Sequence, residues 1–181
     1  MKPATMGPPE VKQFSNEGDA FLYGWEGQYL SPPGRRWGLT VSAAGTRGIV
    51  ENATHYILSG GQVTGEEVLR HDPVPEIPPA EGSVAFFYRF FDGRLVPGME
   101  FRLAAPQNSV SVSYGEQKTP GFMTMAINLS WAPWRYLTLN GGISNLFNTS
   151  YYEHLNRRII GSDERLYEPG RVAHFTARFK F

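Results

Sequence analysis

Apolar and polar residues alternate with a period of two along much of the chain, and helical periodicity is hard to find. The clearest run is 122–131, where Met123, Met125, Ile127, Leu129 and Trp131 share one face and Thr124, Ala126, Asn128 and Ser130 the other. A second run, 136–145, sets Leu137, Leu139, Gly141 and Ile143 against Thr138, Asn140, Gly142 and Ser144. The last residues repeat it, with Ala173, Phe175, Ala177, Phe179 and Phe181 alternating with His174, Thr176, Arg178 and Lys180. Four further alternating runs lie at 20–30, 37–46, 83–91 and 94–105. The pattern predicts seven strands, each of roughly the 9–11 residues that cross a bilayer at a tilt.

The connections sharpen this expectation. Three are short: 31–36 (SPPGRR), Asp92-Gly93, and 132–135 (APWR). Asp-Gly between two alternating runs is a strong hairpin signal. Three are long, at roughly 47–82, 106–120 and 146–170. Short and long alternate strictly, so tight turns gather at one end of the sheet and large loops at the other. That is the habit of transmembrane β-barrels. Trp37, Trp131 and Trp134 lie beside short turns, where an interfacial girdle of amphipathic rings is expected. Glu26, Arg89, Glu100, Arg102, Arg178 and Lys180 fall on the polar faces, which suits a wet lumen better than a packed interior.

Composition agrees. The 181 residues carry 17 basic and 17 acidic side chains, no cysteine, 20 glycines and 14 prolines. Zero net charge and the lack of a basic run give no reason to expect a nucleic-acid partner. Absent cysteine excludes disulfides, thiol nucleophiles and Cys-based metal sites. No apolar run approaches the length of a membrane helix, but a strand-built span keeps a soluble-looking average hydropathy. Residues 1–18 contain no apolar signal core, and Pro3, Pro8 and Pro9 break any regular element. That segment reads either as the loose tail of a cytoplasmic protein or as the start of the later part of a longer chain whose targeting segment lies upstream; the family resemblance described below would make it the remnant of an extracellular loop.

Several segments resemble the C-terminal part of TonB-dependent outer-membrane receptors. WRYLTLNGGISNLFNTSYY (134–152) is similar to that family's penultimate strand, and YEPGRVAHFTARFKF (167–181) to its terminal strand closing on Phe. Glu76-Ile77-Pro78-Pro79 before a strand, and the Gly-x-Glu of Gly24–Glu26, add weaker likeness. The resemblance implies an all-β, antiparallel transmembrane barrel segment over 19–181, with short periplasmic turns and long extracellular loops. It implies import of a scarce nutrient such as a siderophore, metal chelate or vitamin. Its partners would be outer-membrane lipid, lipopolysaccharide and the barrel-assembly machinery, with TonB engaged only through a plug. Neither plug nor TonB box is found here, and seven strands fall far short of about 22. The chain therefore reads as a fragment needing the N-terminal part of its barrel. The alternatives are a passive or structural outer-membrane barrel completed by another chain, and a soluble lipocalin-like ligand-binding barrel.

Candidate chemistry is modest. Phe175, Phe179 and Phe181 resemble the terminal signal read during barrel assembly, with lipid-facing packing as the simpler role. Tyr151, Tyr152, Arg157 and Arg158, with His154, could recognise an anionic, aromatic-rich chelate at the outer mouth, with His174 and Arg178 on the lumen wall; solvation of the loop is the bland alternative. The four histidines lie toward the long-loop end, yet no pair has metal-ligand spacing, and no metal site is assigned. Glu66, Glu67, Asp72 and Glu76 lack the regular spacing of a calcium loop. No cofactor motif and no strained nucleophile motif is present, so no enzyme is expected.

Overall fold

The computed structural model describes residues 18–60, 62–156 and 165–181. Among these residues eight strands form one antiparallel sheet: β1 (Ala20–Leu30), β2 (Trp37–Ser59), β3 (Gln62–Pro73), β4 (Glu81–Tyr88), β5 (Leu95–Ala104), β6 (Phe122–Trp134), β7 (Leu137–Ser144) and β8 (Val172–Phe179). Their spatial order is β1-β2-β4-β5-β6-β7-β8, with β3 paired to the upper half of β2. Among the described residues β1 and β8 are the two edges of this path and do not pair with each other.

The register turns sequence alternation into two chemically distinct faces. Glu26 opposes Ala44, Ser42 opposes Ser83, and Ser83 opposes Arg102. The same face continues through Thr124, Asn128, Asn140 and Thr176 to Arg178. The reverse face runs from Trp25 through Val41, Val84, Phe101, Met125, Ile127 and Ile143 to Phe175. Nothing covers it: Trp25 is 60% and Phe175 71% exposed. So broad an apolar surface is untenable in water and calls for lipid. Among the described residues no helix is long and apolar enough to cross a membrane.

The short connections build as their residues dictate. In the first turn Gly34 takes φ +84°, and Ser31 closes the turn with a bond from its N–H to the Leu39 carbonyl at 2.8 Å. In the second, Phe91, Asp92 and Gly93 all adopt positive φ, and Phe90 bridges to Leu95. The expected two-residue Asp-Gly hairpin is therefore a four-residue loop. The third is displaced as well. β6 passes through 132–133 by a bulge, where proline needs no ladder partner for its missing N–H. The chain then reverses at Arg135-Tyr136, because Trp134 pairs with Leu137.

The largest departure from expectation lies at 47–82. Most of that stretch is strand, not loop. β2 continues to Ser59 and returns as β3, a hairpin rising beyond the rest of the sheet, so the strands number eight rather than seven. His55 and His71, expected in a loop, lie on this hairpin opposite Glu67 and Glu51. The hairpin's faces mix charged and apolar residues, which hides its alternation from a pattern tuned to an apolar stripe.

Candidate functional site: the long-loop mouth

Glycines apart, the buried residues among those described are few and gather at the long-loop end: Ala53, Asp72, Ile77, Ala104, Gln107, Ser111, Thr119 and Asn145. Here the connections fold over the sheet's upper rim rather than standing free. Asp72, 3% exposed, is the first anchor. Its carboxylate accepts bonds from Ser111 Oγ (2.6 Å), Val112 N (2.9 Å), Ser113 N (3.1 Å) and Ser113 Oγ (2.5 Å). Burial alone would raise its pKa; the Ser111, Ser113 and backbone donors outweigh it and hold the group below its ordinary 3.8. This clasp pins the 105–121 connection to the hairpin. Gln107 adds a pairing with Thr119 and donates to the Ile77 carbonyl at 2.8 Å.

The last connection docks on both neighbours. His154 Nδ1 lies 3.1 Å from Thr119 Oγ1, and its Nε2 lies 3.8 Å from Glu116. Burial pulls the imidazole below its usual pKa; Glu116 opposes that and Arg165 adds to it. Glu116 itself accepts from Glu76 N and Ser111 N. Nearer the wall, Arg102 on the polar face holds Glu81 and Glu153, each at 2.6 Å. Its guanidinium also lies over the Phe122 ring, against which Tyr151 packs at 4.2 Å. Burial and then Glu168 push the Tyr151 hydroxyl above its ordinary pKa, so it stays a neutral donor.

The start of that connection explains its NLFNTSYY run. Asn145 and Asn148 take φ of +48° and +55°, a region asparagine tolerates better than most residues. The Asn145 side chain donates to the Thr149 carbonyl and accepts from Thr149 N. Asn148 Oδ1 accepts from Arg171 N at 2.9 Å, tying the loop's entry to its exit. These asparagines shape the backbone of the loop's entry.

The proposed ligand residues do not form one cluster. Tyr152 meets Tyr167 edge-on at 5.3 Å, with the Arg165 guanidinium 5.0 Å from its ring centre. His154 is turned into the loop packing. His174 opposes Gly142 on the polar face, where a side chain at 142 would strike its ring. Arg178 opposes Thr138, near the short turns. Arg157 and Arg158 lie outside the described residues. Glu81, Phe122 and Glu153 form the mouth with Arg102, yet sequence reasoning did not single them out. The polar register, odd-numbered on β4 and even-numbered on β6, could have suggested Glu81 and Phe122, whereas Glu153 lies outside any strand. Below this cluster the polar face forms a concavity of about 680 Å³ that Glu26, Ser42, Glu81, Glu100 and Arg102 help to line. Among the described residues no group of three His, Asp or Glu is arranged to hold a metal.

A family model described as TonB dependent receptor-like, beta-barrel matches residues 3–146. The chain belongs to the TonB-dependent receptor family. Two solved structures share the fold. One is titled Copper transporter OprC, with TM-score 0.71 and 24% identity over 91% of this chain. The other is the ferric yersiniabactin uptake receptor FyuA from Yersinia pestis, with TM-score 0.69 and 17% identity over 92%. No curated protein matches the chain. The chain spans 24% of each of these two structures. Receptors of this family are transport proteins of the bacterial outer membrane, not enzymes.

Proposed function

We propose that the chain is the C-terminal part of a receptor whose complete barrel imports a scarce nutrient, a siderophore, metal chelate or vitamin, driven by TonB through a plug domain. One observation carries this reading: an uncovered apolar face and a polar face share a sheet whose short connections after β1, β4 and β6 lie at one end, and whose long connections and β2–β3 hairpin lie at the other. Short turns then face the periplasm and the mouth faces outward. Trp37, Trp131 and Trp134 form the periplasmic girdle, and lipopolysaccharide surrounds the loop end.

The remaining strands of the barrel pair with the open edges of β1 and β8, because each unpaired backbone group in lipid costs several kcal/mol. Phe175, Phe179 and Phe181 present the strand read by the barrel-assembly machinery. Ligand contact is assigned to Tyr151, Tyr152, Arg157 and Arg158 at the mouth and to His174 and Arg178 along the wall, while His154, turned into the loop packing, positions the loop behind them. The two structural neighbours are titled for copper and for ferric yersiniabactin, and cargo of that class is proposed here.

The test is uptake in cells carrying or lacking this gene, with radiolabelled ferric and cupric chelates, with and without a functional TonB. Accumulation that needs both the gene and TonB supports the reading. Uptake that needs the gene but ignores TonB would make it a passive barrel.

A further inference from the structure

The short turns carry an uneven charge. Arg35 and Arg36 close the first, Arg89 and Arg94 flank the second, and Arg135 begins the third, against the single acid Asp92. All five arginines are exposed. Among the described residues, ion pairs form only at Arg102 and His154, both toward the opposite end. The rim is thus a row of cations without carboxylate partners.

Two of them are positioned in different directions. Arg89 serves the polar side: its Nη1 donates to the Arg35 carbonyl at 2.9 Å, and its guanidinium lies 4.4 Å from the Phe87 ring centre. Arg35 turns the other way. Its guanidinium lies 5.2 Å from the Trp37 ring centre, and Trp37 pairs with Tyr88 on the apolar face. Beside Arg135, Trp134 and Tyr136 stack at 5.9 Å and 7°. Cations and broad rings therefore share one level, directly below the apolar stripe that lipid covers.

We infer that Arg35, Arg36 and Arg135 bind phosphate headgroups of anionic phospholipid in the leaflet that meets the short turns. The inference rests on the membrane orientation proposed above. A guanidinium offers a planar fork that matches phosphate, and the ring beneath Arg35 holds it at headgroup depth. Each such cation contributes about fivefold to association with an anionic surface. An acidic protein partner would also answer the charge. The seat of Arg35 on the lipid-facing side favours lipid.

The experiment purifies the full chain, in whatever barrel it occupies, from outer membranes in mild detergent and quantifies retained phospholipids by mass spectrometry. Arg35→Gln/Arg36→Gln/Arg135→Gln is expected to lose anionic phospholipid several-fold while keeping zwitterionic lipid. The matching triple Lys variant is expected to retain most of it, which separates lost charge from lost folding. Equal retention in the Gln variant and wild type overturns the site. So does release of the wild-type lipid by inorganic phosphate alone, which would mark a free-phosphate site. Orientation is checked apart: the native chain lacks cysteine, so Gln62→Cys should react with an impermeant maleimide on intact cells and Pro33→Cys only after permeabilisation. Reversed labelling would sink the orientation, and with it the choice of leaflet.

Discussion

Arg102 on β5 holds Glu153 of the last long connection at 2.6 Å, and the same guanidinium holds Glu81 of the neighbouring strand at 2.6 Å. One side chain thereby joins the barrel wall to a loop. These groups are about a third exposed or less, so solvent screening keeps the energy small, about 1 kcal/mol or below per pair. The consequence is positional more than thermodynamic, because the loop's first residues are led inward across the polar face.

Arg102→Ala is therefore expected to leave the sheet's unfolding nearly unchanged while speeding protease cleavage within 149–156 several-fold. Limited proteolysis read by mass spectrometry measures this, and an unaltered cleavage pattern would show that the Phe122–Tyr151 contact alone suffices.

Asp72→Asn keeps the shape of the side chain but turns one acceptor into a donor facing Ser111 and Ser113. A buried charged acceptor with several donors is worth about 1.5–3 kcal/mol per lost bond, so the 108–116 segment should open measurably. Hydrogen exchange there should quicken at least tenfold, with β6 and β7 unaffected. The native carboxylate has a lowered pKa, so the clasp contributes fully above the ordinary 3.8 and is lost as pH falls through the lower folded value. At pH 7 the wild-type clasp should show no pH sensitivity.

His154 behaves in the opposite pH range. Its folded pKa lies below 6.5, so the unfolded loop takes up a proton more readily than the docked one. Docking is then strongest above 6.5 and weakens as pH drops from there toward the folded pKa. Hydrogen exchange at 117–121 should be faster at pH 5.5 than at pH 7.5 after correction for intrinsic rates. His154→Gln should abolish that difference; persistence of the difference would assign it to another group.

Ile127 and Asn128 are neighbours in β6 on opposite faces, near the middle of the strand. An arginine facing lipid at mid-depth costs about 2–4 kcal/mol, so Ile127→Arg should sharply lower the folded, membrane-inserted fraction. Asn128→Arg points into the polar side and should be tolerated. Equal levels of the two variants in outer membranes would contradict the assignment of the faces.

Much of the sheet was legible without coordinates, because a strand's side chains alternate by geometry and each face meets one solvent. Met123 to Trp131 and Leu137 to Ile143 announce an apolar stripe, and the strict order of short and long connections announces which ends meet. Where that one-face rule lapses, legibility lapses too. The β2–β3 hairpin rises past the apolar band, and neither of its faces needs to be apolar, so Leu39 and Val41 advertise a strand while Glu51, His55 and Glu67 do not. The mouth was least legible. Asp72 with Ser111, Arg102 with Glu153 and Thr119 with His154 are separated by 39, 51 and 35 residues, and no local pattern links such partners. Alternation is a property of neighbouring residues and is written along the chain. Which loop donates to which carboxylate depends on the register that brings distant strands together, and only the folded sheet decides it.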